Sequence, residues 1–343
     1  MLGAGATRGA FPHVRVKGKK IRAPLNWDFF KVAESFVRAH GNAGGFAKRY
    51  DRIRKVFRDE FPTRGRWPIP MEEAVSLLYV SKDFPEIYAP SRGRRRDPGT
   101  RREIEDFLRL TFGILSAIEA KVDRTNLYAR LVSQLDAGDT ILTLNYDTLL
   151  DSALVDAGWD PANGYGLIGG SGKVRWTRTK PKASARLAGV KLLKLHGSLN
   201  WYVRGSFSHL SEIFEKKPSK IVISRIPRVN EFAHFVRQIA PPIYGKFFGH
   251  KHWRTLWAAA HEALLDAEVL AVVGCSLVDT DFHLGGMLSH AVKMRKNGHR
   301  PFTLVVAVDK TRVRRKWLRL LKGCAPANLQ YSSFGKFPRS HLK

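Results

Sequence analysis

Cysteine is nearly absent from this sequence, with only Cys275 and Cys324 among 343 residues. Two thiols cannot build a disulfide framework or a four-cysteine zinc site. Long apolar runs are missing as well, and none approaches the ~20 residues that a bilayer-crossing helix needs. The basic start lacks the apolar centre of a signal peptide. These absences lead us to expect a cytoplasmic protein with no membrane contact. Acidic residues are scarce, 30 against 59 lysines and arginines, which leaves a formal charge of +29. Such a field attracts polyanions and small anions alike and says nothing about fold. Internal repeats and long low-complexity tracts are also lacking.

What is present is enough apolar sequence for a sizeable core, at 44% of residues, so one large domain or two modest ones could form. Four short runs rich in β-branched residues suit strands buried in a parallel sheet: Thr140–Leu144, Val190–Leu195, Glu268–Val273 and Phe302–Val308. Helical patterns lie between them, "DTLLDSALVDA" after the first and "HWRTLWAAAHEALLDA" before the third. Strand alternating with helix predicts an α/β fold, Rossmann-like and doubly wound, with a mostly parallel sheet. Residues 25–135 read differently. "NWDFFKVAESFVRAH", "MEEAVSLLYV" and "REIEDFLRLTFGILSAIEAKV" are amphipathic at helical spacing. We therefore expect one domain over residues 1–343 that carries a large helical insertion at about 25–135.

Basic residues cluster at Arg15–Arg22, Arg92–Arg102, Arg175–Arg186 and Lys310–Lys322. Singly, each suits solvated surface or loop, and Arg92–Arg102 with Pro98 and Gly99 reads as an exposed loop. Together they make nucleic acid a candidate partner through a basic surface. In Lys310–Lys322 the arginines alternate with Trp317, Leu318 and Leu320. That pattern fits a helix with one packed face, the other either merely solvated or offered to phosphates.

Chemistry collects where the strand runs end. Asn145-Tyr146-Asp147 follows the first, His196-Gly197-Ser198 the second, and Gly274-Cys275-Ser276 with Asp279-Thr280-Asp281 the third. The opening Gly3-Ala4-Gly5-Ala6, followed by Thr7, reads as a phosphate-cradling turn. Only Met1 and Leu2 precede it, whereas the strand before such a turn usually needs about 5 residues. Either the native start lies upstream or the central strand is shortened. Each block alone has a plain reading: a helix cap for Asn-Tyr-Asp, a turn for His-Gly-Ser, a strand exit for Gly-Cys-Ser. In open parallel sheets, however, ligands bind beyond the carboxyl ends of the strands. Four such ends point to one shared crevice.

Other signals fail on inspection. Gly169–Lys173 imitates a P-loop, but Leu167 stands where its first glycine belongs and Val174 where its Ser/Thr belongs. His250, His252, Asp281 and His283 complete no metal-ligand spacing, and we expect no metal. Cys275 suits buried packing better than nucleophilic work.

The blocks "LTLNYDTLLDSAL", "KLLKLHGSLNW" and "AVVGCSLVDTDFH" resemble the motifs of sirtuin-like NAD-hydrolysing domains in bacterial anti-phage defence proteins. "GAGATRGAFP", "APLNWDFF", "GWDPANGYG" and "LWAAAHEALLDAE" resemble the same pattern in order, over nearly the whole chain. The resemblance implies a Rossmann-like core with NAD as substrate, and Asn145 and His196 as the residues essential to cleavage. It places Gly3, Ala4, Gly5, Ala6 and Thr7 near the pyrophosphate and adjacent ribose, and Asp147 near the nicotinamide amide. Gly197 and Ser198 flank the histidine, and Gly274, Ser276 and Asp281 belong to the adenosine-side block. The strand exit departs from the usual Gly-Tyr-Ser-Leu-Pro, with Cys275 and Val278 in place of the tyrosine and proline. Deacetylating sirtuins carry a glutamine where this chain has Leu144, and a zinc ribbon that two cysteines cannot supply.

The implied chemistry suits these residue types. Nicotinamide leaves NAD as a neutral base from a cationic site, so an oxocarbenium-like path needs no general acid. A carboxamide that orients water or ribose and a histidine base complete the requirement. The expected activity is NAD glycohydrolysis to nicotinamide and ADP-ribose, in an NAD-depleting defence effector. An activating protein partner or homo-oligomerisation would then control it. The rival readings are a non-catalytic nucleotide- or nucleic-acid-binding module and an ADP-ribosyltransferase.

Overall fold

A computed structural model describes residues 1–11, 13–41, 43–59, 67–83, 100–122, 127–166, 174–175, 183–204, 222–224, 235–240, 242–243, 251–279, 281–298, 300–322, 324–325 and 327–336. The chain divides into two compact units. One comprises Met1–Ala10, Asp123–Ala240 and Phe247–Lys343, and the other Phe11–Val122 with Pro241–Lys246.

The first unit is mixed α/β with short parallel sheets. Its strands Thr140–Thr143, Lys191–Lys194, Val269–Val273 and Thr303–Ala307 fall within the four predicted runs. All pair in parallel, Thr140–Thr143 with Lys191–Lys194 and Thr303–Ala307 with Val269–Val273. A fifth strand, Asn328–Tyr331, extends the second group beyond Thr303–Ala307. Leu2 joins the two groups, bridging in parallel to Thr143 on one side and Val273 on the other. Counted along the chain from Leu2, the spatial order is 3-2-1-4-5-6. Leu142, Leu192, Leu193, Val272 and Leu304 are buried, as expected of strands covered on both faces.

Two buried indoles tie surrounding elements to strand ends. Trp159 donates Nε1–H to the Val190 carbonyl at 2.8 Å, and Trp317 to the Cys275 carbonyl at 2.8 Å. Trp317 lies in the helix Thr311–Leu321, whose apolar side is buried at Trp317 and Leu321 while Arg312, Arg315 and Arg319 are exposed. A second sheet was not foreseen. Gly197–Arg204 lies antiparallel between Val222–Ser224 and Phe235–Ile239, so the strand starts immediately after His196.

The second unit holds the helices Phe29–His40, Phe46–Asp59, Met71–Asp83 and Thr100–Glu119. Their packing is aromatic. Phe107 meets Phe29 with ring centroids 4.9 Å apart, and Phe30 lies 4.5 Å from Trp67. Arg49 and Arg52 both reach buried Asp106, at 2.8 and 2.6 Å.

Two basic clusters are more ordered than loops. The basic side chains of Arg15–Arg22 are exposed, as expected of solvated surface, but the stretch is most of a hairpin pairing Val14–Val16 with Lys19–Ile21. Val14, Val16 and Ile21 point inward, and the turn uses positive φ at Lys17 and Gly18, as a two-residue hairpin turn demands. The stretch Arg92–Arg102 is helical from Thr100 onward, and its earlier part lies outside the described residues. Gly169–Lys173 and His250 also lie outside them.

Phe107 is fully buried, so Phe107→Ala should destabilise the protein by about 3–5 kcal/mol in urea unfolding.

Candidate functional site

The site is assembled in the first unit from the ends of the parallel strands. Its foundation is a backbone interlock. Gly3 donates its N–H to the Val273 carbonyl at 3.2 Å, Gly5 to Gly274 at 2.9 Å, and Ala6 to Gly3 at 2.8 Å. A Cβ on Gly3 would lie 2.7 Å from Cys275 Cα, and one on Gly5 2.6 Å from the Gly274 oxygen. Gly274 has φ +55°, and its Cβ would fall 2.0 Å from Ala6 N. Glycine is required at all three positions because backbone meets backbone there.

That contact starts the short helix Ala4–Ala10 and buries Thr7 against the first strand end. Asn145 Nδ2 donates to Thr7 Oγ1 at 3.0 Å and to the Gly3 carbonyl at 3.1 Å. Thr7 gives its one hydroxyl proton to Asp147 Oδ2 at 2.8 Å. The Tyr128 hydroxyl, 2.8 Å from Thr7 Oγ1, is therefore the donor in that contact. With both amide hydrogens engaged, Asn145 Oδ1 is turned away from this network. It is buried and has no hydrogen-bond partner among the described residues.

Beneath lies a buried charge cluster. Lys194 ends the second strand and is 1% exposed. Its Nζ donates to the Asp147 carbonyl and, at 2.9 Å, to Asp151 Oδ2. The Tyr165 hydroxyl donates to Asp151 Oδ1 and accepts from Asn200 Nδ2 at 3.2 Å. Burial pushes Tyr165 and Tyr128 well above the usual tyrosine range, so both remain donors. Burial also raises the Asp147 carboxyl, an effect opposed by Lys194 and by the Thr7 hydroxyl.

His196 lies two residues beyond Lys194, and Asn145 two beyond Thr143, its registered partner in the neighbouring strand. Both are nearly buried, at 7% and 8% exposure. His196 Nε2 is 2.9 Å from Asp281 Oδ2, and its ring faces Tyr146 and Trp257 with centroids 6.5 and 6.4 Å away. The His196 carbonyl accepts from Ala240 N–H at 2.8 Å, and the Tyr146 hydroxyl donates to the Ala240 carbonyl at 2.6 Å. Gly197 turns the chain with φ +81° into its strand, where Ser198 is fully buried. Asp281 also caps the helix Phe282–Asn297, accepting from Leu284 N–H at 3.2 Å. Ala4 and Ser276 are exposed, whereas Cys275 is buried and its thiol pushed up to about 11 by burial. Among the described residues no three His, Cys, Asp or Glu side chains converge as metal ligands would, and no helix is long and apolar enough to cross a membrane.

A family model for the SIR2-like domain matches residues 139–322, the stretch that carries Asn145, His196 and Asp281. The chain belongs to the SIR2-like family. Membership brings an NAD-related function with it. No curated protein matches the chain.

The structure joins Thr7, Asn145 and Asp147 by hydrogen bonds, places Gly3 and Gly5 against Gly274, and sets Asp281 beside His196, with Gly3, Gly5 and Thr7 coming from outside the matched stretch. Sequence reasoning missed Tyr128, Asp151, Tyr165, Lys194 and Asn200. One clue was available: Lys194 interrupts an apolar run of buried-strand character, a position where lysine needs a partner.

Two measurements probe this framework. Gly274→Ala must place a Cβ against the Ala6 backbone at a positive φ, so it should cost more than about 2 kcal/mol in denaturant unfolding. Lys194→Met strands the Asp151 carboxylate and should cost about 3–5 kcal/mol, most of it recovered in the Lys194→Met/Asp151→Leu double variant.

Proposed function

We propose that this SIR2-like protein is an NAD glycohydrolase, releasing nicotinamide and ADP-ribose, with Asn145 and His196 as its catalytic residues. The observation that carries this reading is Asn145 itself. Two donated hydrogen bonds fix its amide, and its Oδ1 is left buried with no partner among the described residues. An unsatisfied acceptor of this kind is costly unless a ligand or water completes it. A ribose hydroxyl or an attacking water, both O–H donors, would do so.

The register of the two strands supports the pairing of Asn145 with His196, and the 3-2-1-4-5-6 order supports a doubly wound core. In that order the strand sequence reverses between Leu2 and Val269–Val273, and a crevice there would have Gly3 and Gly274 at its edge. Gly3 and Gly5 contribute by close backbone approach, since their own amides are engaged by carbonyls. The reaction breaks the bond between ribose C1′ and the nicotinamide nitrogen, and the electron pair leaves with neutral nicotinamide. Water adds to C1′ and gives its proton to His196. Asn145 Oδ1 orients that water or the ribose.

In this reading the enzyme depletes NAD during bacterial anti-phage defence. An activating protein, self-assembly or nucleic acid on the basic surface triggers it. The purified protein, alone and with candidate triggers, should release nicotinamide from NAD in a chromatographic assay. Asn145→Ala and His196→Ala should each lower the rate by about 10²–10⁴-fold. Release that survives the histidine substitution would overturn the assignment.

A second reading draws on the helix Thr311–Leu321 and the residue after it, where exposed Arg312, Arg315, Arg319 and Lys322 share one side. Here the protein binds nucleic acid without turnover. Tight, strongly salt-dependent DNA or RNA binding with no NAD loss under any condition would favour it.

A further inference from the structure

Two helices of the first unit, Lys251–Asp266 and Phe282–Asn297, pack against each other. The second buries Leu284, Leu288, Ala291 and Arg295, and beside that stripe it meets the first through a pair of histidines. His261 Nε2 and His290 Nδ1 lie 2.8 Å apart in hydrogen-bond geometry, with ring centroids 4.9 Å apart. His290 is exposed and His261 half-buried, so solvent reaches the pair. A neutral imidazole carries one N–H and one lone pair, so one ring donates here and the other accepts. In the other tautomer of the donor ring, two lone pairs point at one place. That is the arrangement a metal ion takes from two histidines. A tetrahedral ion with bonds of about 2.0–2.1 Å holds its nitrogens about 3.3 Å apart, a small opening for exposed side chains. Burial and the neighbouring His290 keep His261 below the usual histidine range, against the pull of Glu262, so it is unprotonated at neutral pH as a ligand must be. Soft donors stand close by. The chain has only four methionines, and two of them, Met287 and Met294, lie three residues before and four after His290. Those spacings put both on its face of the helix, and Met294 is exposed.

We propose that His261 and His290 form a surface site for a late first-row transition-metal ion, zinc(II) or copper, which clamps the two helices together. The ion replaces the shared proton, and both imidazoles keep their N–H on the outer nitrogen. Imidazole suits zinc and copper alike, whereas a thioether as third ligand favours copper(I). Among the described residues no third His, Cys, Asp or Glu side chain joins the pair. The coordination is therefore completed by water or by a methionine, and the ion exchanges with solvent, unlike one in a closed four-ligand structural site. Neither histidine belongs to the network around Asn145, so the proposal is independent of the glycohydrolase reading.

Zinc(II) chloride added to the untagged, chelator-stripped protein at neutral pH should raise its melting temperature as the concentration rises, because the site exists only in the folded chain. Magnesium, which prefers oxygen ligands, should not. His261→Gln and His290→Gln should each weaken zinc(II) binding by about tenfold or more in calorimetric titration. Both are surface changes, so the metal-free melting temperature should stay where it was. Copper(II) reads the ligands directly. At one equivalent, its electron paramagnetic resonance spectrum should show coupling to two imidazole nitrogens in the wild type and to fewer in either variant. The Met287→Leu/Met294→Leu variant should weaken copper(I) binding, measured by competition with a chromogenic chelator, and leave zinc(II) binding unchanged. Failure of both zinc(II) and copper(II) to bind the wild type overturns the proposal. So do zinc(II) affinity and a copper(II) spectrum that are unchanged in both histidine variants. An unchanged copper(I) affinity in the methionine variant overturns the part given to the thioethers.

Discussion

The site depends on one contact, the approach of the Gly3–Ala6 turn to the backbone of Gly274. No side chain can stand between these segments: a Cβ on Gly274 would reach 2.0 Å from Ala6 N. Because they touch, Thr7 arrives at the end of the Thr140–Thr143 strand, and Thr7 in turn orders Asn145, Asp147 and Tyr128. A threonine hydroxyl has one proton and two lone pairs, and here all three are used. The carboxamide of Asn145 is thus set by backbone packing between two segments, at Gly3 and Gly274, that lie some 270 residues apart in sequence.

Under this interlock lies an ion pair that is weak evidence for stability in itself, since desolvation offsets most of the attraction. Its value is positional. Lys194 reaches the Asp147 carbonyl and the Asp151 carboxylate together, so it ties the loop after the first strand to the helix Leu149–Asp156. Tyr165 and Asn200 complete the cluster and satisfy most of its polar atoms. An apolar core would pack here as well, but it could not hold the Asp147 backbone at one place relative to Asn145. Part of the positive charge, by contrast, lies on an exposed helix face. Arg312, Arg315 and Arg319 are exposed, while Trp317 docks the same helix through the Cys275 carbonyl.

Much of this was readable from local pattern. The apolar runs around Leu142, Leu193, Val272 and Val305 announced parallel strands because a strand covered on both faces has no polar positions to alternate. The polar triplets after them announced a crevice because strand carboxyl ends are where open sheets leave backbone groups exposed. The hairpin Val14–Ile21 went unread because three lysines and an arginine masked an inward Val14, Val16 and Ile21. The strand Gly197–Arg204 went unread because His-Gly-Ser looks like a turn, and it becomes a strand only when Phe235–Ile239 pairs with it.

Residue identity by itself determined the SIR2-like character, the strand ends that bear Asn145 and His196, and the chemical types available there. These are properties of contiguous stretches, in which periodicity and neighbours act within a few residues. Tertiary structure alone decided which carboxylate serves which partner. Asp147 receives the Thr7 hydroxyl, Asp151 the Lys194 ammonium, and Asp281 faces His196. Those pairings join elements 43 to 140 residues apart, and no local rule links such positions. They exist because a buried polar group must find its partner across whatever chain the fold brings beside it.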